Sequence, residues 1–202
     1  AVLGATPEEA RPVLAECSEG EDWPVEIAAV NTPASLTVAG PEPALARLAE
    51  AAAARRWAWL PLDLDYAFHS AAMDPVRAGL LRDLRGLRGR EGGVPLISTV
   101  TGQVLDPDAC DAAYWWRNLR EPVRFADAMA TGLARHPALL VEIGPRPLLQ
   151  GYLRTLLRAA GREVPSMATL RPHRARQADP FPALADAATA QGADPRGGRA
   201  FQ

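Results

Sequence analysis

Across residues 1–62 the hydrophobic pattern alternates between the two-residue period of strands and the 3.6-residue period of helices, and few folds accept that succession. A short apolar run, Ala1-Val2-Leu3, ends at Gly4. Thr6-Pro7-Glu8-Glu9 then supplies an N-cap hydroxyl, a first-turn proline and acidic residues suited to the positive end of a helix, which the pattern carries to about Glu16. Residues 25–30 and 35–38 read as the strands of a hairpin around Asn31-Thr32-Pro33, whose residue types favour a turn. Residues 43–56 hold Leu45, Leu48 and a run of alanines, a strong helix by propensity, and residues 57–62 read as the strand after it. The order is β-α-β-β-α-β, the split ferredoxin-like arrangement in which both helices cover one face of an antiparallel sheet.

Beyond this region the character changes. Met73, Val76, Leu80, Leu81 and Leu84 recur at helical spacing, which predicts an amphipathic helix over residues 70–84. Arg85 to Gly93 reads as a charged, solvated loop, and residues 95–100 as a strand entering a Thr101-Gly102 turn. Residues 111–119 and 124–134 read as helices broken at Pro122, which cannot donate a backbone hydrogen bond. Residues 138–143 form a continuous apolar strand of the parallel-sheet kind, residues 148–159 a helix, and residues 164–170 a last strand. Residues 183–191 are a short helix in an otherwise aperiodic, polar tail.

His69 sits where the apolar run ends and the helix begins, in Tyr66-Ala67-Phe68-His69-Ser70. A junction of this kind projects a side chain into a cleft, and imidazole is the side chain that both takes and gives a proton near neutral pH. From spacing alone, a histidine beside a serine is more often a hydrogen-bonded structural residue than a catalyst.

Tyr66 to Ser70 followed by Met73-Asp74-Pro75 resembles the histidine motif of malonyl-CoA-type acyltransferase domains of modular, type I polyketide synthases. Four other stretches agree in the family's order: Ile27-Ala28-Ala29-Val30-Asn31 with Val38-Ala39-Gly40, then Tyr114 to Phe125, Val141-Glu142-Ile143-Gly144-Pro145, and Leu148-Leu149. The family's nucleophile motif, Gly-His-Ser-x-Gly, is not among these residues, so the chain is read as the C-terminal portion of such a domain. The resemblance implies an α/β fold. Residues 1–65 would be the ferredoxin-like small subdomain, and residues 66–170 the C-terminal part of the α/β-hydrolase-like large subdomain. Residues 171–202 would be the partly disordered linker that follows.

The resemblance also implies chemistry: ping-pong transfer of an extender acyl group from acyl-CoA, through a serine ester, to the phosphopantetheine thiol of an acyl carrier protein. His69 takes the place of the family's general base and acid. A backbone carbonyl in the stretch from Asn118 to Glu121 would orient it, which makes Asn118 and Glu121 the candidate supports. Asp65, Asp74 and Glu142 are available carboxylates with surface or capping roles as the simpler reading. The nucleophile, the arginine that pairs with the extender's free carboxylate and the central strands of the large sheet are expected outside this sequence, so the chain alone would be inactive, and unless a second chain supplies those strands Val141 and Ile143 would present an exposed apolar edge. Ser18 lies in a polar turn without an elbow's glycines, and Ser70 is expected to cap the helix that begins there. The residues before the histidine set extender choice in the family. Phe68 fills space that a serine would leave for an α-methyl branch, which favours malonyl, while Tyr66 matches the methylmalonyl pattern.

Composition excludes other classes. A net charge of −2 and the lack of a basic cluster with interleaved aromatics leave no focus for nucleic acid. All 22 basic residues are arginine, a mark of genome composition and not of a binding function. Cys17 and Cys110 are too few and too far apart for a zinc cluster, and no metal is expected. No apolar run reaches the roughly 20 residues a bilayer span needs, so a cytoplasmic protein without membrane contact is expected. No bound cofactor is expected. The partners implied are acyl-CoA, an acyl carrier protein and the neighbouring ketosynthase of the same polypeptide. The alternative reading is a non-catalytic module that uses the ferredoxin-like sheet as a carrier-protein docking platform.

Overall fold

The computed structural model describes residues 1–64, 66–169 and 181–192. Its contacts divide the chain into two compact units, Ala1–Thr131 and Gly132–Gln202.

The first unit opens with the six predicted elements. They are β1 (Val2–Leu3), α1 (Pro7–Cys17), β2 (Glu26–Thr32), β3 (Ser35–Ala39), α2 (Glu42–Arg55) and β4 (Trp59–Leu60). The sheet order is β2-β3-β1-β4, with every pair antiparallel. Helix α1 starts as the sequence predicts: Thr6 Oγ1 accepts the Glu9 N–H and Glu9 Oε2 accepts the Thr6 N–H, a reciprocal cap. Ala10, Val13, Leu14 and Cys17 of α1, and Ala44, Leu48 and Ala52 of α2, fall on single helical faces and are buried. They close over Leu3, Leu36 and Val38 to form one core cluster. β1 and β4 approach closely at Gly4, where a Cβ would stand 2.9 Å from that of Ala58. β4 is shorter than the strand predicted over residues 57–62, because pairing with β1 is limited to Val2–Leu60 and Leu3–Trp59.

The rest of this unit departs from expectation in two places. In place of one helix over residues 70–84, a 3-10 helix (Ala71–Val76) precedes a short α3 (Arg77–Asp83). Pro75 has no N–H to continue an α-helical ladder, and the tighter turn accommodates it. Residues 95–100 do not form an extended strand: a single antiparallel bridge, Ile97–Val104, closes around the turn at Gly102, whose φ is +73°. The pair of helices around Pro122 forms as predicted, α4 (Ala112–Arg120) and α5 (Phe125–Leu133). Asp111 caps α4 by accepting the Tyr114 N–H at 2.9 Å.

The second unit contains a β-α-β arrangement, β5 (Leu140–Glu142), α6 (Gln150–Ala159) and β6 (Ser166–Ala168), with the strands parallel. Leu153, Leu156 and Leu157 of α6 are buried. β5 has the apolar sequence of a strand buried on both faces of a parallel sheet, and as expected where the central strands lie outside this sequence, Val141 is exposed and Ile143 just beyond is 85% exposed. α7 (Phe181–Ala190) takes the place of the short helix predicted over residues 183–191. The remainder of the tail, residues 170–180 and 193–202, lies outside the described residues, as does Asp65.

Candidate active site

The site is built on the free edge of the small sheet. β2 is the outermost strand, and its unpaired edge would leave backbone groups without partners. The segment after α4 fills that edge: Val30 N–H donates to Val123 O and Val123 N–H to Ala28 O, each at 2.9 Å. This parallel bridge anchors the stretch from Leu119 to Val123 beside the turn that carries His69.

His69 is gripped by two carbonyls of that stretch. Its backbone N–H donates to Leu119 O at 3.0 Å, and its Nδ1 lies 2.9 Å from Glu121 O. A carbonyl only accepts, so Nδ1 carries the proton and the neutral ring presents the lone pair of Nε2. Burial pushes the imidazole pKa below its ordinary 6.5, and the bond to Glu121 offsets part of that effect. The ring is therefore neutral at pH 7. His69 also has φ +63°, a left-handed backbone that few residues other than glycine adopt.

Glu121 contributes its backbone, since its carboxylate is turned to Arg117 in a two-pronged ion pair of 2.8 and 3.1 Å. Asn118 makes no hydrogen bond to the imidazole. It lines a groove of about 320 Å³ together with Leu80, Leu84, Leu87, Trp115 and Leu119. Tyr66 and Phe68 are 60% and 45% exposed, with ring centroids 5.1 Å apart. Ser70 does not cap the following helix. Its buried hydroxyl donates back to Ala67 O at 2.6 Å, the Met73 N–H goes to the Ser70 carbonyl, and the Ala71 N–H is held by Glu26 Oε2.

Of the other carboxylates, Glu142 caps α6, accepting the Leu149 N–H at 2.8 Å and the Gln150 side-chain amide at 2.9 Å. Asp74 binds Arg120 Nε at 2.8 Å, and Arg120 Nη2 reaches Glu26 at 3.0 Å. Sequence reasoning missed Glu26 and Arg120. They are 94 residues apart, and only their opposite charges, Glu26 just before one family-like stretch and Arg120 inside another, could have suggested the pair. Among the described residues, no group of three or more His, Cys, Asp or Glu side chains could share a metal ion, and no helix is long and apolar enough to cross a membrane.

A family model for the acyl transferase domain matches residues 8–195. Erythronolide synthase EryA2 of Saccharopolyspora erythraea is 37% identical over 169 residues, which are 84% of this chain and 5% of that protein. The spectinabilin polyketide synthase system protein NorA' of Streptomyces orinoci is 39% identical over 189 residues, 93% of this chain and 5% of that protein. The acyltransferase domain from module 8 of the salinomycin polyketide synthase superposes with a TM-score of 0.84 at 31% identity, covering 95% of this chain and 44% of that one. The chain thus spans a small part of each synthase and less than half of the solved acyltransferase structure.

Proposed function

The chain belongs to the acyltransferase domain family of polyketide synthases, and on that premise we propose that it supplies the acid–base half of an acyl-transfer site. The site moves an extender acyl group, malonyl in preference to methylmalonyl, from acyl-CoA to the phosphopantetheine thiol of an acyl carrier protein. A serine hydroxyl from a Gly-His-Ser-x-Gly segment attacks the thioester carbonyl while Nε2 of His69 takes its proton. The C–S bond breaks, and the CoA sulfur leaves with that proton. In the second half the carrier thiol gives its proton to Nε2 and attacks the serine ester, and the serine oxygen recovers the proton as the C–O bond breaks. Acyl-CoA and phosphopantetheine are substrates, so no bound cofactor enters. The carrier protein and the neighbouring ketosynthase are the proposed partners.

The observation that carries this reading is the 2.9 Å contact between His69 Nδ1 and Glu121 O, which leaves Nε2 as the acceptor. Glu121 orients the ring through its carbonyl, and Asn118 supports the same segment from the last turn of α4. Phe68 and Tyr66 are the proposed selectivity residues. The test is acyl-enzyme formation from malonyl-CoA in a polypeptide that joins this chain to a Gly-His-Ser-x-Gly segment, with and without His69→Ala. Loss of both loading and transfer in the variant is expected, and transfer near the parent rate would overturn the role of His69. The 202 residues alone contain no such serine motif and are expected to form no acyl adduct by mass spectrometry; an adduct on them would sink the assignment.

A further inference from the structure

The contacts around His69 close into a ring that does not depend on the imidazole itself. Arg120 lies between Leu119 and Glu121, whose carbonyls hold the His69 N–H and Nδ1. Its guanidinium reaches out to two carboxylates. Asp74 belongs to the 3-10 helix that follows the histidine, at 2.8 Å, and Glu26 is the first residue of β2, at 3.0 Å. Glu26 in turn holds the Ala71 N–H with its other oxygen. The path from Ala71 to Glu26, Arg120, the two carbonyls and His69 thus returns to its start. One cation and two anions share it, and Arg120 and Glu26 are both largely covered, at 24% and 26% side-chain exposure. The other charged side chains on this segment pair locally, Arg117 with Glu121 and Arg124 with Asp127.

We propose that Glu26 and Arg120 are positioning residues for His69, holding the left-handed turn and the Glu121 carbonyl in register so that the Nδ1-protonated tautomer is enforced. A residue at φ +63° is outside its preferred region and persists only where its surroundings over-determine it. The backbone bond to Leu119 fixes one side of the turn. The bond from Ala71 to Glu26 fixes the other, and Arg120 ties the two sides together. Asp74 is the outer arm and is 57% exposed, so it contributes least. This inference rests on the reading of His69 as the acid–base residue, but it concerns how the ring is held and is measured separately from transfer.

The test is ¹⁵N NMR of the His69 imidazole in the full chain, comparing the parent with Arg120→Met, Glu26→Gln and Asp74→Asn. In the parent, Nδ1 is expected to be the protonated nitrogen. Arg120→Met should shift the population toward the Nε2-protonated form, and loss of the Glu121 bond should lower the titration midpoint further below 6.5, the ordinary value. Glu26→Gln keeps an acceptor for the Ala71 N–H and should give a smaller shift in the same direction, and Asp74→Asn the smallest. An unchanged tautomer and midpoint in a folded Arg120→Met would overturn the proposal. If Arg120→Met loses the sheet's amide spectrum, Glu26→Gln and Asp74→Asn decide it, and no graded shift in either counts against it. In a domain that carries the nucleophile, Arg120→Met should lower kcat by roughly 10²-fold with KM for the acyl donor unchanged, the mark of a misaligned base. Loss of activity in His69→Ala with no change of tautomer in these three variants would remove the positioning role and leave the acid–base reading standing.

Discussion

Val123 pairs in parallel with Ala29, so the stretch that presents a carbonyl to the His69 imidazole is stitched to the edge of the small sheet. Glu121 is two residues upstream, and Pro122 between them limits the backbone to extended geometry. The antiparallel sheet therefore sets where the imidazole partner stands.

Val123→Pro tests this coupling. It removes the N–H that reaches Ala28 O and leaves that acceptor without its partner, which should cost about 1–3 kcal/mol in urea unfolding. It should also release Glu121 O from Nδ1 and reduce transfer in the joined domain. Unchanged stability together with unchanged transfer would mean that the edge pairing does not hold the carbonyl.

The pH dependence follows from burial of His69. Its folded pKa lies below the ordinary 6.5, so between those two values the unfolded chain binds more protons than the folded one. Stability is fully present above 6.5 and is lost as the pH falls through the folded value. The acid limb of kcat/KM for loading should also fall below 6.5, since the free base is the reacting form. Urea midpoints and loading rates between pH 5 and 8 check both, with His69→Gln as the reference for stability that removes the titration. An acid limb above 6.5 would contradict the burial argument.

Phe68→Ser tests the steric gate. In competition between malonyl-CoA and methylmalonyl-CoA, the parent should favour malonyl, and the variant should gain on methylmalonyl. One methyl group in an apolar pocket is worth roughly 1–3 kcal/mol, or about 10- to 200-fold. Equal use of both donors by the parent, or no gain in the variant, would assign selectivity elsewhere.

Leu48→Ala probes the core beneath the sheet. Leu48 is fully buried between the alanines of α2, and its truncation should cost about 2–5 kcal/mol by the combined loss of burial and the cavity left behind. A loss of unfolding free energy under about 1 kcal/mol in urea would show that this face repacks freely. The His69 tautomer should not change in the folded variant.

The small sheet was legible because local signals agree there. Thr6 to Glu9 spell out a helix start, Asn31 to Pro33 a turn, and Leu36 and Val38 alternate with polar neighbours. The helix after His69 was legible as a period but not as a conformation, because the single proline at position 75 decides between α and 3-10 geometry. The exposed edge at Val141 and Ile143 was legible too, because a continuous apolar run records what a strand requires and the central strands that would meet it are not among these residues. Glu26 and Arg120 carry no periodic signal at all. Their meeting depends on β2 and the end of α4 being brought together by the Val123 pairing, a tertiary event with no local trace.

The left-handed backbone at His69 sets proton chemistry against folding at one position. A glycine there would relieve roughly 1 kcal/mol of backbone strain while deleting the imidazole proposed as the base. A library selected for heat resistance alone is expected to enrich His69→Gly, and one selected for acyl transfer to purge it. The two lineages would diverge at this residue before they diverged in the core.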